Sequence, residues 1–120
     1  MCDFLGDYPK SPVNIHTRQN EPRDALIDVR AIYQQDFRDL NYGAVNPFLK
    51  PAKGRHGLLD FEKVFCVDQK SGQDIYAMRG IDPGQGCMIV VRPDQYVAQV
   101  LPLDDHAGLT NFFAGCLKKA

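Results

Sequence analysis

The sequence predicts an α+β domain, and three observations carry that prediction. A continuous apolar run, Cys87 to Val91, is followed by Arg92-Pro93-Asp94-Gln95 and a second β-rich run, Tyr96 to Leu101, which together spell an antiparallel hairpin. After Pro102, Leu109, Phe112, Phe113 and Leu117 recur at i, i+3, i+4 and i+8, the period of a helix that lays one face on a sheet. Upstream, Ala25 to Tyr33 is rich in strand formers, and Ile27, Val29 and Ala31 alternate with Asp28 and Arg30. Strand, helical connection, hairpin and helix in that order make an α+β arrangement.

The elements follow along the chain. Cys2 to Pro9 reads as the last turns of a helix stopped by Gly6 and Pro9, and Ser11 to Asp24, with Pro12 and Pro22, as an extended connection. The strand at Ala25 to Tyr33 comes next. Gln34 to Leu40 forms a short helix that continues raggedly to Phe48-Leu49 and ends before Pro51. Lys50 to Gly57 is a basic, turn-rich loop, and Leu58 to Phe65 a short helix or irregular segment on which Phe61, Val64 and Phe65 share a face. Lys70 to Asp74 is a turn, Ile75 to Met78 a short helix halted by Gly80, and Gly84 and Gly86 a further turn. The hairpin spans about 87–101, with Arg92, Pro93 and Asp94 bracing its turn. The last helix spans about 105–118, capped by Asp104 or Asp105, with Lys118 and Lys119 suiting its negative end.

At 120 residues, 44% hydrophobic and 24% charged, the whole chain (1–120) reads as one domain able to bury a core without a disulfide or metal. Lys and Arg number 14 against 15 Asp and Glu, so no positive field draws a nucleic acid or an anionic membrane surface. The longest apolar run is far shorter than the roughly 20 residues of a spanning helix, and no basic-then-apolar leader opens the sequence, so a cytoplasmic chain is expected. Cys2, Cys66, Cys87 and Cys116 are scattered, with no C-x-x-C pair and no histidine at ligand spacing, so reduced thiols and no metal are expected.

Chemistry-bearing residues are few. His16, His56 and His106 lie in a polar connection, a loop and a helix start, solvated positions with no serine nucleophile beside them. Gly80 to Gly86 looks like a phosphate loop but opens a strand instead of a helix, so its glycines serve turns. Lys50, Lys53, Arg55 and His56 form a basic cluster that suits an anion or an acidic partner, or simply a solvated loop. No catalytic, cofactor-binding or metal-ligating residue is assigned.

Arg92-Pro93-Asp94-Gln95-Tyr96-Val97-Ala98, continued by Val100-Leu101-Pro102-Leu103-Asp104, resembles the carboxy-terminal domain of FAD-dependent aromatic hydroxylases of the phenol 2-monooxygenase / 3-hydroxybenzoate 4-monooxygenase family. Ile27 to Ala31, Lys53-Gly54-Arg55 with Gly57-Leu58, Phe61 to Cys66, and Arg79 to Asp82 are similar to the same domain, so the resemblance spans nearly the whole chain. It implies a thioredoxin-like domain that contributes to dimerisation, in a family where NAD(P)H reduces FAD and the flavin hydroxylates a phenolic ring. It does not imply thioredoxin redox chemistry: C-x-x-C is lacking, and Gly86 stands where redox-active members place a cis-proline. Against that domain, Cys2 to Leu5 looks like the end of the first helix, with the first strand lacking. That strand would lie between the strand at Ile27 and the one at Cys87, leaving unpaired backbone on both.

Three functions remain open at this point. The first is a non-catalytic dimerisation or assembly module, homodimeric and without cofactor of its own. The second is a small enzyme or ligand-binding protein that reuses a pocket for an aromatic or polyketide-like molecule, with Tyr33, Tyr76, Tyr96 and His106 as its polar groups. The third is a subunit that docks on a separate flavoprotein. The motifs favour the first, because no catalytic constellation assembles from them.

Overall fold

The structure is a computed structural model that describes residues 1–120. Its element order is α1 (Cys2–Asp7), α2 (Pro12–His16), β1 (Ala31–Tyr33), β2 (Ala52–Lys53), β3 (Leu58–Leu59), β4 (Val64–Cys66), α3 (Ile75–Arg79), β5 (Met88–Val91), β6 (Val97–Leu101) and α4 (His106–Cys116). Helices and strands are mixed, and the strands form three two-stranded sheets: β1 parallel to β4, β2 antiparallel to β3, and β5 antiparallel to β6.

The first helix runs through Gly6, where an added Cβ would press on Phe48, and stops at Asp7. Ser11 to Asp24 is not wholly extended. Ser11 caps α2 by accepting from the Asn14 amide, and Pro12 occupies the first helical position, where its missing N–H costs nothing. The Ser11 hydroxyl also donates to the Leu5 carbonyl at 2.9 Å, tying α1 to α2. The strand expected over Ala25 to Tyr33 narrows to Ala31–Tyr33, because only these residues meet a partner, Val64–Cys66. Three 3-10 turns follow, Phe37–Asp39, Tyr42–Ala44 and Pro47–Leu49, each capped by the Asx side chain before it: Asp36, Asn41 or Asn46.

Leu58 to Phe65 departs from the helical expectation. It forms β3 and β4, so Phe61, Val64 and Phe65 share no helical face, and Phe61 and Phe65 are exposed. The helix at Ile75 is as expected: Asp74 caps it, and Gly80 ends it at φ 64°, a left-handed conformation open to glycine.

The hairpin is also as expected. The Gln95 amide donates to the Arg92 carbonyl at 2.9 Å and the Arg92 amide to the Tyr96 carbonyl at 2.8 Å, with Gln95 at φ 71°, the three-residue loop in which a turn is followed by a left-handed residue. Arg92 pairs with Asp94 at 2.6 Å across it. Asp105 caps α4 by accepting from the Gly108 amide. The helix ends at Cys116 instead of 118, with Leu117 extended, so Lys118 and Lys119 lie beyond its negative end.

The core is Leu5, Val13 and Leu109, where α1, α2 and α4 meet, and Ile27, Val29, Met88, Val90, Leu101 and Phe113 pack against it. One face of α4 therefore does cover the hairpin. The chain end returns to α2: the Ala120 amide donates to Ile15, and the Nδ1–H of His16 donates to the Lys118 carbonyl at 2.8 Å. His16 is buried, which corrects its expected solvation, because α2 turns its ring toward the returning chain.

Candidate functional site

A cleft of about 300 Å³ has walls that include Arg23, Asp24, Ile27, Phe48, Lys53 and Lys63. Its chemistry centres on Lys63, a lysine only 7% exposed. The Lys63 ammonium meets Asp24 at 2.9 Å, Asp28 more closely still, and Asp60 at 3.8 Å, while Lys53 pairs with the same Oδ2 of Asp24. Burial alone would raise the Asp24 carboxyl, but hydrogen bonds from Lys53 and Lys63 and their charges bring it down to about 2. Asp28 is likewise lowered: burial opposes ionisation, and hydrogen bonds from Lys63 and Arg30 outweigh it. The same carboxylates raise Lys63 against its own burial. Every charge in the cluster is matched by another, so it locks residues 24–28 to the turn before β4 and leaves neither a free base nor an open anion site.

The residues singled out for a ligand pocket lie outside this cleft. Tyr33 ends β1 and Tyr76 lies on α3, whose hydroxyl donates to the Ile32 carbonyl, so these two adjoin. Burial pushes both phenols up, and the Cys2 and Cys66 thiols add to the shift at Tyr33. Both therefore stay protonated near neutrality. Tyr96 stands at the hairpin loop, largely exposed, with the Arg92 guanidinium 5.9 Å from its ring centre. His106 opens α4 and stacks flat on Phe4 at 4.2 Å. None of the four lines the cleft.

The basic cluster is dispersed as well. Lys50 donates to the Tyr42 and Gly43 carbonyls, Lys53 pairs with Asp24, and Arg55 and His56 sit exposed in the β2–β3 turn. Gly84 and Gly86 bond back to Asp82 and lead into β5, a turn and not a phosphate cradle. FAD does not fit these residues: no glycine-rich loop opens a helix, Lys53 and Lys63 are held by carboxylates, and Arg23 is held by the Gly6 carbonyl and the Asn14 side chain. The Lys63 cluster escaped sequence reasoning because its carboxylates are scattered over Asp24, Asp28 and Asp60, and only Asp60 and Lys63, three apart, are close in sequence.

Apolar surface is the more telling feature. Phe37, Leu58, Phe61, Met78 and Tyr96 are each well exposed, while the buried aliphatic core is small. Where such side chains adjoin on the surface, they suit contact with another chain.

The comparisons agree with that reading. The chain belongs to the phenol hydroxylase C-terminal dimerisation domain family, whose profile matches residues 1–120. It is similar to the 3-hydroxybenzoate 4-monooxygenase of Comamonas testosteroni, 44% identical over 119 residues, which is 98% of this chain and 19% of that protein. It is also similar to the FAD-dependent monooxygenase terD of Aspergillus terreus, 30% identical over 121 residues, which is 96% of this chain and 20% of that protein. The chain thus spans about a fifth of the length of these curated relatives.

Proposed function

We propose that this chain is the non-catalytic dimerisation module of a flavin-dependent aromatic monooxygenase of the 3-hydroxybenzoate type, and that its partner is a second copy of itself. The observation that supports this best is the match of all 120 residues to a dimerisation-domain family. A surface rich in apolar side chains and a cleft whose two lysines are paired with carboxylates support it too. The monooxygenation named for the relatives belongs, in this reading, to a flavin-binding region outside these residues, and the isolated chain is colourless. A ligand pocket built on Tyr33, Tyr76, Tyr96 and His106 is not favoured, because none of these residues lines the cleft. Four unpaired cysteines suit a reducing, cytoplasmic compartment.

The fold reading that accompanies this is a single thioredoxin-like domain with the place of its first strand open. Residues 27–30 form no helix or strand and alternate in burial at Ile27 and Val29, and none of their backbone groups bonds to another backbone group. On the other side β5 pairs with β6 alone. Both segments lay side chains on one core, so an extended strand between them would unite them into one sheet.

Co-purification of two differently tagged copies tests the function. The untagged-for-capture copy is retained by its tagged counterpart if the module dimerises, and its complete loss in the wash overturns the proposal.

A further inference from the structure

We propose that the outward face of the β5–β6 hairpin is the surface on which a second copy of this chain packs, an inference that rests on the dimerisation reading and locates it. Directly opposed residues of an antiparallel pair share a face. Met88 and Leu101 oppose each other and turn toward the core; Ile89 and Val100 oppose each other and turn away. Val97 lies three residues before Val100, a spacing that puts two side chains on opposite faces of a regular strand. Here the register slips between Val90 and Val91, leaving Ala98 as the extra residue, so that Val97 comes opposite Val91 and joins the outward face.

The bulge thus gathers four β-branched aliphatic side chains, Ile89, Val91, Val97 and Val100, into one strip whose members are 41–60% exposed. An antiparallel sheet that faces water on one side ordinarily carries polar residues there. Across both of these strands the single polar side chain is Gln99. A regular strand without the bulge would turn Val97 inward, the simpler arrangement for a monomer, since each exposed Å² of apolar surface costs about 25 cal/mol.

The occupant follows from symmetry and charge. The family is one of dimerisation domains, and a two-fold dimer sets one patch against itself, so the patch must be complementary to its own copy. An uncharged aliphatic strip meets that condition, because no like charges come together when it faces itself. The nearest charges, Arg92 and Asp94, neutralise one another at the hairpin loop and fall at the rim. Two such hairpins pack as aligned sheets about 10 Å apart.

Sedimentation equilibrium on the wild-type chain, Val100→Lys, the double variant Val97→Thr/Val100→Thr and a control, Leu58→Lys on β3, tests this. The threonines keep β-branching and shape, so they judge the surface even where the lysine variant does not fold. The two hairpin variants are expected to raise the dimer Kd at least thirtyfold, roughly the loss of one hot spot, and the control to leave it unchanged. A wild-type dimer that the double variant forms equally tightly overturns the hairpin surface and leaves dimerisation standing. A dimer lost equally with Leu58→Lys also overturns it. A wild-type chain that is monomeric at millimolar concentration overturns the dimerisation reading itself.

Discussion

Lys63 holds its ammonium among the carboxylates of Asp24, Asp28 and Asp60, and its removal leaves Asp60 without an ion-pair partner and Asp24 and Asp28 with one cation each, Lys53 and Arg30. Lys63→Met should therefore lower stability by about 1–3 kcal/mol, read as a drop in the urea midpoint. The cluster also sets an acid limit. Asp24 ionises at about 2 in the folded chain against 3.8 ordinarily, so its contribution is present above the ordinary value and is lost as pH falls toward 2. That contribution is about 2 kcal/mol, and Asp24→Asn should flatten the fall of stability between roughly pH 4 and pH 2. Tyr42 presents the opposite case: its hydroxyl is buried with no hydrogen-bond partner, while its ring packs on Phe61 at 5.3 Å. Tyr42→Phe should raise the melting temperature, with a gain of up to about 1 kcal/mol, because a desolvated polar group is removed and nothing else changes.

At the scale of elements, the two glycines of α4 separate cap from propensity. An added Cβ at Gly115 meets nothing within 4 Å, so Gly115→Ala should stabilise by about 0.5 kcal/mol. At Gly108 the same Cβ would run into the Asp105 carboxylate that caps the helix, so Gly108→Ala should gain nothing and should lose about 1 kcal/mol where the cap is displaced. Thermal melts of both variants check this. The hairpin and α4 were legible in the sequence because their signals are local: a Pro-Asp turn between two apolar runs, and an apolar period behind a cap. The parallel pair β1–β4 was not, because its strands are far apart in the chain and Phe61, Val64 and Phe65 fit a helical period as well as a strand. α2 was overlooked although Ser11-Pro12 is a helix-start signal, since so short a helix shows no apolar period. A pocket is illegible in the sequence for a related reason: nothing local fixes where distant elements bring Tyr33, Tyr76, Tyr96 and His106. The bulge at Ala98 leaves no mark in the sequence, so the outward turn of Val97 was readable only from the strand register.

For the whole molecule, the account makes function a matter of surface. The core is small, the lysines of the cleft are paired with carboxylates, and large apolar side chains face outward on a chain that belongs to a dimerisation-domain family. Association then contributes stability by mass action, so the melting temperature of this chain should rise with its concentration. Sedimentation velocity over a wide concentration range tests the central claim most directly. A species of twice 13.5 kDa that dissociates on dilution is the predicted result, and a single 13.5 kDa species at every concentration would contradict it.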